Sequence, residues 1–152
     1  MLSQRFIARV TMIMPDVGVK LSGRSQARLY KWTGGRLGGT WAGKPVLILT
    51  TTGRQSGEKR STVVLYGRDD DRLVVIGSNT GSERPPAWAL NLLADPHAEV
   101  QVGRKRHHVT AMVADDSERA RLWQLMSDAY DGFEMYTNQT ARDFKVFILR
   151  PA

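Results

Sequence analysis

Val46-Leu47-Ile48-Leu49-Thr50-Thr51-Thr52-Gly53-Arg54 is the stretch on which the fold turns. Seven apolar or β-branched residues run without a break and stop at a glycine, the pattern of a buried strand. Gly53-Arg54-Gln55-Ser56-Gly57 follows as a turn with two glycines and one cation. Thr62 to Tyr66 reads as a second strand, and Asp69-Asp70-Asp71 as a solvated acidic turn into a third, Leu73 to Ile76, so the three form a hairpin meander. Downstream, Pro86 opens a short helix from Ala87 to Ala94, where a first-turn proline loses no hydrogen bond, and Asp95-Pro96 ends it. Strands from Glu99 to Val102 and His107 to Val113 flank the turn Gly103-Arg104-Lys105. Asp115, with Glu118 three residues on, marks a capping box that starts a helix reaching about Tyr130. A short aromatic segment (Phe133, Met135, Tyr136) and a last strand, Phe144 to Leu149, follow. Six strands with an embedded helix make a mainly β (α+β) chain, a small antiparallel barrel of about six strands.

The chain has 152 residues, of which 41% are hydrophobic and 24% charged, a composition that supports one packed core. No apolar run approaches the ~18–20 residues of a membrane-spanning helix. The absence of cysteine removes disulfides, thiolate metal sites and thiol catalysis together. The net charge of +7 is concentrated at one end. Up to Lys44 eight basic residues face Asp16 alone, and from Pro45 onward 14 basic residues balance 14 acidic ones. A nucleic-acid binder would spread that excess along a folded face, so this distribution argues against one.

The basic end divides from the rest. Residues 1–36 read as a helical N-terminal segment and 37–152 as the domain, with Gly34-Gly35-Arg36-Leu37-Gly38-Gly39 as the joint. Leu2, Phe6, Ile7, Val10, Ile13 and Met14 recur at helical intervals, and a second stretch sets Leu29, Tyr30 and Trp32 among Lys20, Arg24, Arg28 and Lys31. Two readings stay open: a helix packed on the core with a solvated basic face, or a surface helix on an anionic membrane with aromatics at headgroup level. No small-residue cleavage site follows the apolar run, which points to a cytoplasmic protein.

No conventional catalytic set appears. His107 and His108 are adjacent on a strand and point to opposite faces, so no metal site is expected. No serine lies in a nucleophile elbow. Chemistry in such a chain belongs to a bound cofactor, and three segments offer to hold one. Thr50 to Arg60 supplies backbone N–H groups, hydroxyls and up to three cations, which suits a phosphate or carboxylate tail and equally an exposed basic turn. Val75-Ile76-Gly77-Ser78-Asn79-Thr80-Gly81 ends a strand in a glycine-bounded polar loop, able to bring backbone close to a flat ring. Trp88 and Asn91, three apart on one helix, present an indole and an amide to one place, unless Trp88 is simply core.

Together these segments resemble the deazaflavin (F420)-dependent nitroreductase and quinone reductase family of actinobacteria. The resemblance rests on Gly38-Gly39-Thr40, Leu49-Thr50-Thr51-Thr52-Gly53-Arg54, Gly57 with Arg60, Ser78 with Gly81, and Pro86, Trp88 and Leu90-Asn91-Leu92. It covers about three quarters of the chain, in order and without large gaps. It implies a split β-barrel like that of FMN-binding oxidoreductases, with N-terminal helices and two or three short helices besides.

It also implies a cofactor, coenzyme F420 with FMN as the alternative. Thr52, Gly53, Arg54, Gln55, Ser56 and Arg60 fall where relatives hold the phosphate and glutamate tail. Val63, Val64, Leu65, Ile76, Gly77, Ser78 and Asn79 fall where they line the ring, and Pro86, Ala87, Trp88 and Asn91 where they hold ring and linker. Leu65, Tyr130, Phe133 and Tyr136 fall on the substrate wall, and Ser78, Tyr130 and Tyr136 carry the hydroxyls available for proton delivery. Relatives often have lysine where this chain has Gln55 and Asn79, and nitroreductase-type pockets have tyrosine at the places of Leu65 and Phe133. The implied reaction is hydride transfer from reduced F420 to an electron-poor acceptor, a menaquinone-like quinone ahead of a nitroaromatic. The alternative is a cofactor-binding or carrier module without turnover. Oligomeric state is left open by the sequence.

Overall fold

Residues 46–49 are buried on both faces of one strand. The computed structural model describes residues 40–41, 44–130, 137 and 140–152. Among these the chain forms β1 (Thr40–Trp41), β2 (Lys44–Thr52), β3 (Lys59–Leu65), β4 (Gly67–Asp69), β5 (Arg72–Ile76), a 3-10 turn (Asn79–Gly81), α1 (Ala87–Ala94), β6 (His97–Val102), β7 (Lys105–Val113), α2 (Asp116–Ala129) and β8 (Val146–Pro151). The expected N-terminal helices, the glycine joint and the aromatic segment with Phe133 and Tyr136 lie outside the described residues.

All pairings are antiparallel. β2 is flanked by β3, from Val46 opposite Leu65 to Thr52 opposite Lys59, and by β6, from Ile48 opposite Gln101 to Thr50 opposite Glu99. The sheet continues through β7, β8 and β5 to β4, while β1 pairs with the start of β2. One core cluster draws Leu47, Val64, Val75, Val100, Val109 and Phe147 from six different strands, so the sheet curls around its own interior. Ala89 and Leu92 of α1 join that interior. On the opposite face of β5 and β8, Val74, Ile76 and Ile148 pack beneath Leu122 and Met126 of α2. Each fully buried aliphatic or aromatic side chain of this kind contributes roughly 1.5–3 kcal/mol.

Two differences from the sequence reading concern topology. Two short strands, β1 and β4, join the expected six. The meander does not form, because β5 pairs with β4 and the C-terminal β8 rather than with β3. Leu73 to Ile76 are buried on both faces, and only an interior place in the sheet, under a helix, covers such a strand twice. Strand ends also move: β3 begins at Lys59, and β8 begins at Val146 rather than Phe144. The helices match closely. Asp115 caps α2 by accepting from the Glu118 N–H at 2.9 Å, but the Glu118 carboxylate turns to Arg72 instead of closing the box.

The acidic turn is the third difference. Asp70, at φ +56°, makes the bend, and it is exposed with Asp71. Asp69 is not solvated: it pairs with Arg72 and takes two bonds from Arg121 of α2, at 2.8 and 3.0 Å. These bonds, Arg121 first and Arg72 second, hold the Asp69 carboxyl far below the usual range. Its contribution to stability is therefore complete above the ordinary aspartate range and drains away as pH falls below about 4. Asp69→Asn is expected to lower the urea midpoint at pH 7, with the gap from the parent narrowing toward pH 3. A gap that stays constant between those pH values would show that the charge is not what matters.

Candidate functional site

Thr50, Thr51 and Thr52 carry the end of β2 to a six-residue turn and set its geometry. Thr50 shares a hydroxyl–hydroxyl bond of 2.8 Å with Ser61, and the Lys59 ammonium donates to Thr52 Oγ1 at 2.9 Å. The turn closes through Gly53 N–H to Glu58 O at 2.7 Å and Gly57 N–H to Gly53 O at 2.8 Å. A Cβ at Gly53 would come within 2.7 Å of Ser56 Oγ, and Gly57 sits at φ +73°, so both glycines are required by the bend.

This turn is bolted to α1 by Asn91. The Asn91 amide is 4% exposed; its Oδ1 accepts from both the backbone N–H and the guanidinium of Arg54 at 3.2 Å, and its Nδ2 donates to buried Thr51 at 3.1 Å. The expected cradle of backbone N–H groups is thus largely spent: Gly53, Arg54, Gly57 and Glu58 all donate within the fold. Gln55 and Ser56 keep theirs. What the turn presents outward is side-chain charge, with Arg54, Lys59 and Arg60 exposed beside Glu58, which lies 3.5 Å from Arg60.

The second segment meets the first at α1. A Cβ at Gly77 would lie 3.3 Å from Ala89 Cβ and 3.7 Å from Pro86 Cδ, so this loop is pressed against the start of the helix. Ser78 is buried, and its hydroxyl has no hydrogen-bond partner among the described residues. Asn79 is exposed at φ +47°, with its amide donating to Arg84 O at 2.9 Å. Two of the segments singled out in the sequence therefore meet the third, α1: the Gly77 loop at Pro86 and Ala89 and the basic turn at Asn91.

Other predicted residues divide. Val64 turns into the barrel interior, whereas Val63 and Leu65 face the opposite side. Leu65 and Tyr130 both border the cluster that holds Ile76. Ala87 is exposed and Pro86 half-buried at the loop. Trp88 meets Phe147 edge-on at 5.6 Å between ring centres, so the core reading applies to most of its indole. Asn91 is a brace whose amide is already committed. Phe133 and Tyr136 lie outside the described residues. His97, His107 and His108 are all exposed, and no cluster of metal-binding side chains occurs among the described residues.

Arg142 was not foreseen. Its guanidinium donates to the carbonyls of Gly77 at 3.0 Å, Ser78 at 2.8 Å and Ser82 at 2.9 and 3.2 Å, and it stacks 4.7 Å from the centre of the Phe144 ring. It thereby fixes the loop that carries Ser78 and Asn79 from a point more than 60 residues away in sequence. Beyond Arg142 lies a cavity of about 570 Å³, lined also by Arg119, Trp123, Thr137 and Thr140.

Comparison with known proteins adds a family. The profile of the F420H(2)-dependent quinone reductase family matches residues 21–151. An F420H(2)-dependent quinone reductase of Mycobacterium tuberculosis is 37% identical over 137 residues, covering 88% of this chain and 91% of that protein. The solved F420-H2 dependent reductase FDR-A superposes with a TM-score of 0.65 at 32% identity, over 70% of this chain and 94% of that one. A structure described as a domain-swapped dimer gives a TM-score of 0.66 at 28% identity, over 84% and 95%. The sheet is thus a split barrel of the reductase type.

Proposed function

The chain belongs to the F420H(2)-dependent quinone reductase family, and we propose that it uses reduced F420 to reduce a flat, menaquinone-like quinone at the site built around α1. One observation supports the placement: the basic turn and the Gly77–Gly81 loop both meet α1, and these segments carry the exposed guanidinium groups of Arg54 and Arg60 and the buried Ser78 hydroxyl. These groups suit the cofactor, since guanidinium ions pair with phosphate and carboxylate oxygens through two bonds at once. When bound, F420 supplies the hydride. Arg54 and Arg60, with Gln55 and Ser56, hold the anionic tail. Val63, Leu65, Ile76, Gly77 and Pro86 give the ring an apolar bed, and Ser78 and Asn79 orient its polar edge. Tyr130, Tyr136 or Ser78 delivers the proton to the acceptor oxygen. The 570 Å³ cavity beside Arg142, lined also by Trp123, Thr137 and Thr140, falls within the size range of small-molecule pockets, and there we place the acceptor.

Leu65 and Phe133, which the resemblance puts on the substrate wall, carry no hydroxyl. A nitro group needing oriented donors would lose about 1–3 kcal/mol, roughly ten- to hundredfold in rate, relative to a quinone. Steady-state oxidation of reduced F420 with menadione is therefore expected to exceed that with a bicyclic nitroimidazole in kcat/KM. A nitroimidazole value at or above the menadione value overturns the acceptor assignment. Binding of F420 without turnover of either would identify a carrier.

For residues 1–36 we propose a separate N-terminal segment that brings the domain, residues 37–152, to the anionic inner face of the plasma membrane. Its basic charge and interleaved aromatics support this. Among the described residues no helix is long and apolar enough to cross a membrane.

A further inference from the structure

The curled sheet has a second end. From His97, beside α1, to Val102 is five residue steps, about 16 Å of extended strand. At the Val102 end the barrel interior opens into a pocket of about 190 Å³. Its floor is Leu73, Val100, Val109 and Leu149, all core residues. Its rim is Arg68, Lys105 and His107, with Asp71 the one carboxylate. Lys105, His107 and Val109 alternate along β7, which is why rim and floor face the same space.

The rim cations Arg68 and Lys105 are among those that no acid neutralises. Arg72 and Arg121 are ion-paired, Arg54 is bonded to Asn91, and Arg142 is spent on carbonyls. Arg68 and Lys105 have no carboxylate within ion-pair distance among the described residues, and Arg68 only lies over the Tyr66 ring at 5.8 Å. An apolar floor under unneutralised positive charge is complementary to an amphipathic anion. We propose that this mouth of the barrel is a second binding site, distinct from the cofactor site, for a small monocarboxylate with an apolar tail. The volume fixes the tail: an apolar cavity of about 150 Å³ accepts benzene, so 190 Å³ takes a ring or a chain of roughly six to eight carbons. The carboxylate meets Arg68 and Lys105, and Asp71 limits the site to a single negative charge.

Octanoate is the probe. Calorimetric titration of the full chain is expected to give one site, which octylammonium does not occupy. Arg68→Glu/Lys105→Glu, two exposed positions, should weaken octanoate binding at least tenfold and admit octylammonium instead. Val102→Trp, which fills the mouth and leaves the charges, should abolish binding of both. F420 should not compete with octanoate, and menadione reduction should be unchanged in the charge-reversed variant, which separates this site from the reductase site. Absence of octanoate binding, equal affinity in parent and charge-reversed chains, or displacement by F420 would each overturn the proposal.

Discussion

Arg142→Ala is expected to lower the unfolding free energy by about 3 kcal/mol and to weaken F420 binding at least tenfold. The stability figure corresponds to two charge-assisted hydrogen bonds at the lower end of their range, and the substitution leaves the carbonyls of Gly77, Ser78 and Ser82 without their donor. Burial pulls the guanidinium pKa below its ordinary value, yet an arginine stays protonated across the range in which proteins fold. The binding loss has a separate cause. Asn79 holds a left-handed conformation that an asparagine adopts only at some cost, and the clamp on either side keeps it there. Released, the loop relaxes away from α1, and Ser78 no longer faces the ring. Arg142→Lys tests the geometry: a single ammonium keeps the charge but does not span three carbonyls, so it should recover only part of the stability. Urea midpoints and quenching of F420 fluorescence read the two effects independently. Lost stability with unchanged F420 affinity would make Arg142 a structural residue alone.

How far the sequence led follows from how local each signal was. Val46 to Leu49 announced a buried strand, because β-branched and aliphatic residues ran unbroken into a glycine. Pro86 and Asp115 announced both helices to within a residue, since caps are short-range chemistry. The family motifs located the basic turn, the Ser78 loop and α1, and the fold brings all three together. Partnership at long range was illegible. That β5 lies beside β8 and not β3 depends on which strand needs covering twice. Asp69 looked like any turn aspartate until α2 placed Arg121 over it. Arg142 gave no signal at all, because its partners are backbone carbonyls, which every residue has. Asn91 shows a second task that the sequence did not signal: its amide braces the turn, which only the positions of Thr51 and Arg54 reveal.

That bracing decides the last expectation. Because Asn91 holds the Arg54 backbone N–H, removing the Arg54 side chain leaves the turn anchored, and Arg60 is anchored by the β2–β3 ladder through Thr51. Both guanidinium groups are exposed, so neither Arg54→Ala nor Arg60→Ala should shift the melting temperature appreciably. Each should weaken F420 binding at least about tenfold, since a hydrogen bond to a charged group is worth about 1.5–3 kcal/mol. The double variant should lose about a hundredfold or more, with the loss shrinking as salt is raised and exposed charges are screened. FMN carries a shorter anionic tail than F420, so its binding should suffer less from the double change, and the ratio of the two losses reports whether the tail is what the turn recognises. Lys105→Ala, on the other mouth of the barrel, serves as the control and should leave F420 affinity untouched. Parental affinity in the double variant would remove the turn from the cofactor site. A matching loss in Lys105→Ala would show that net charge, rather than these two guanidinium groups, draws the cofactor in.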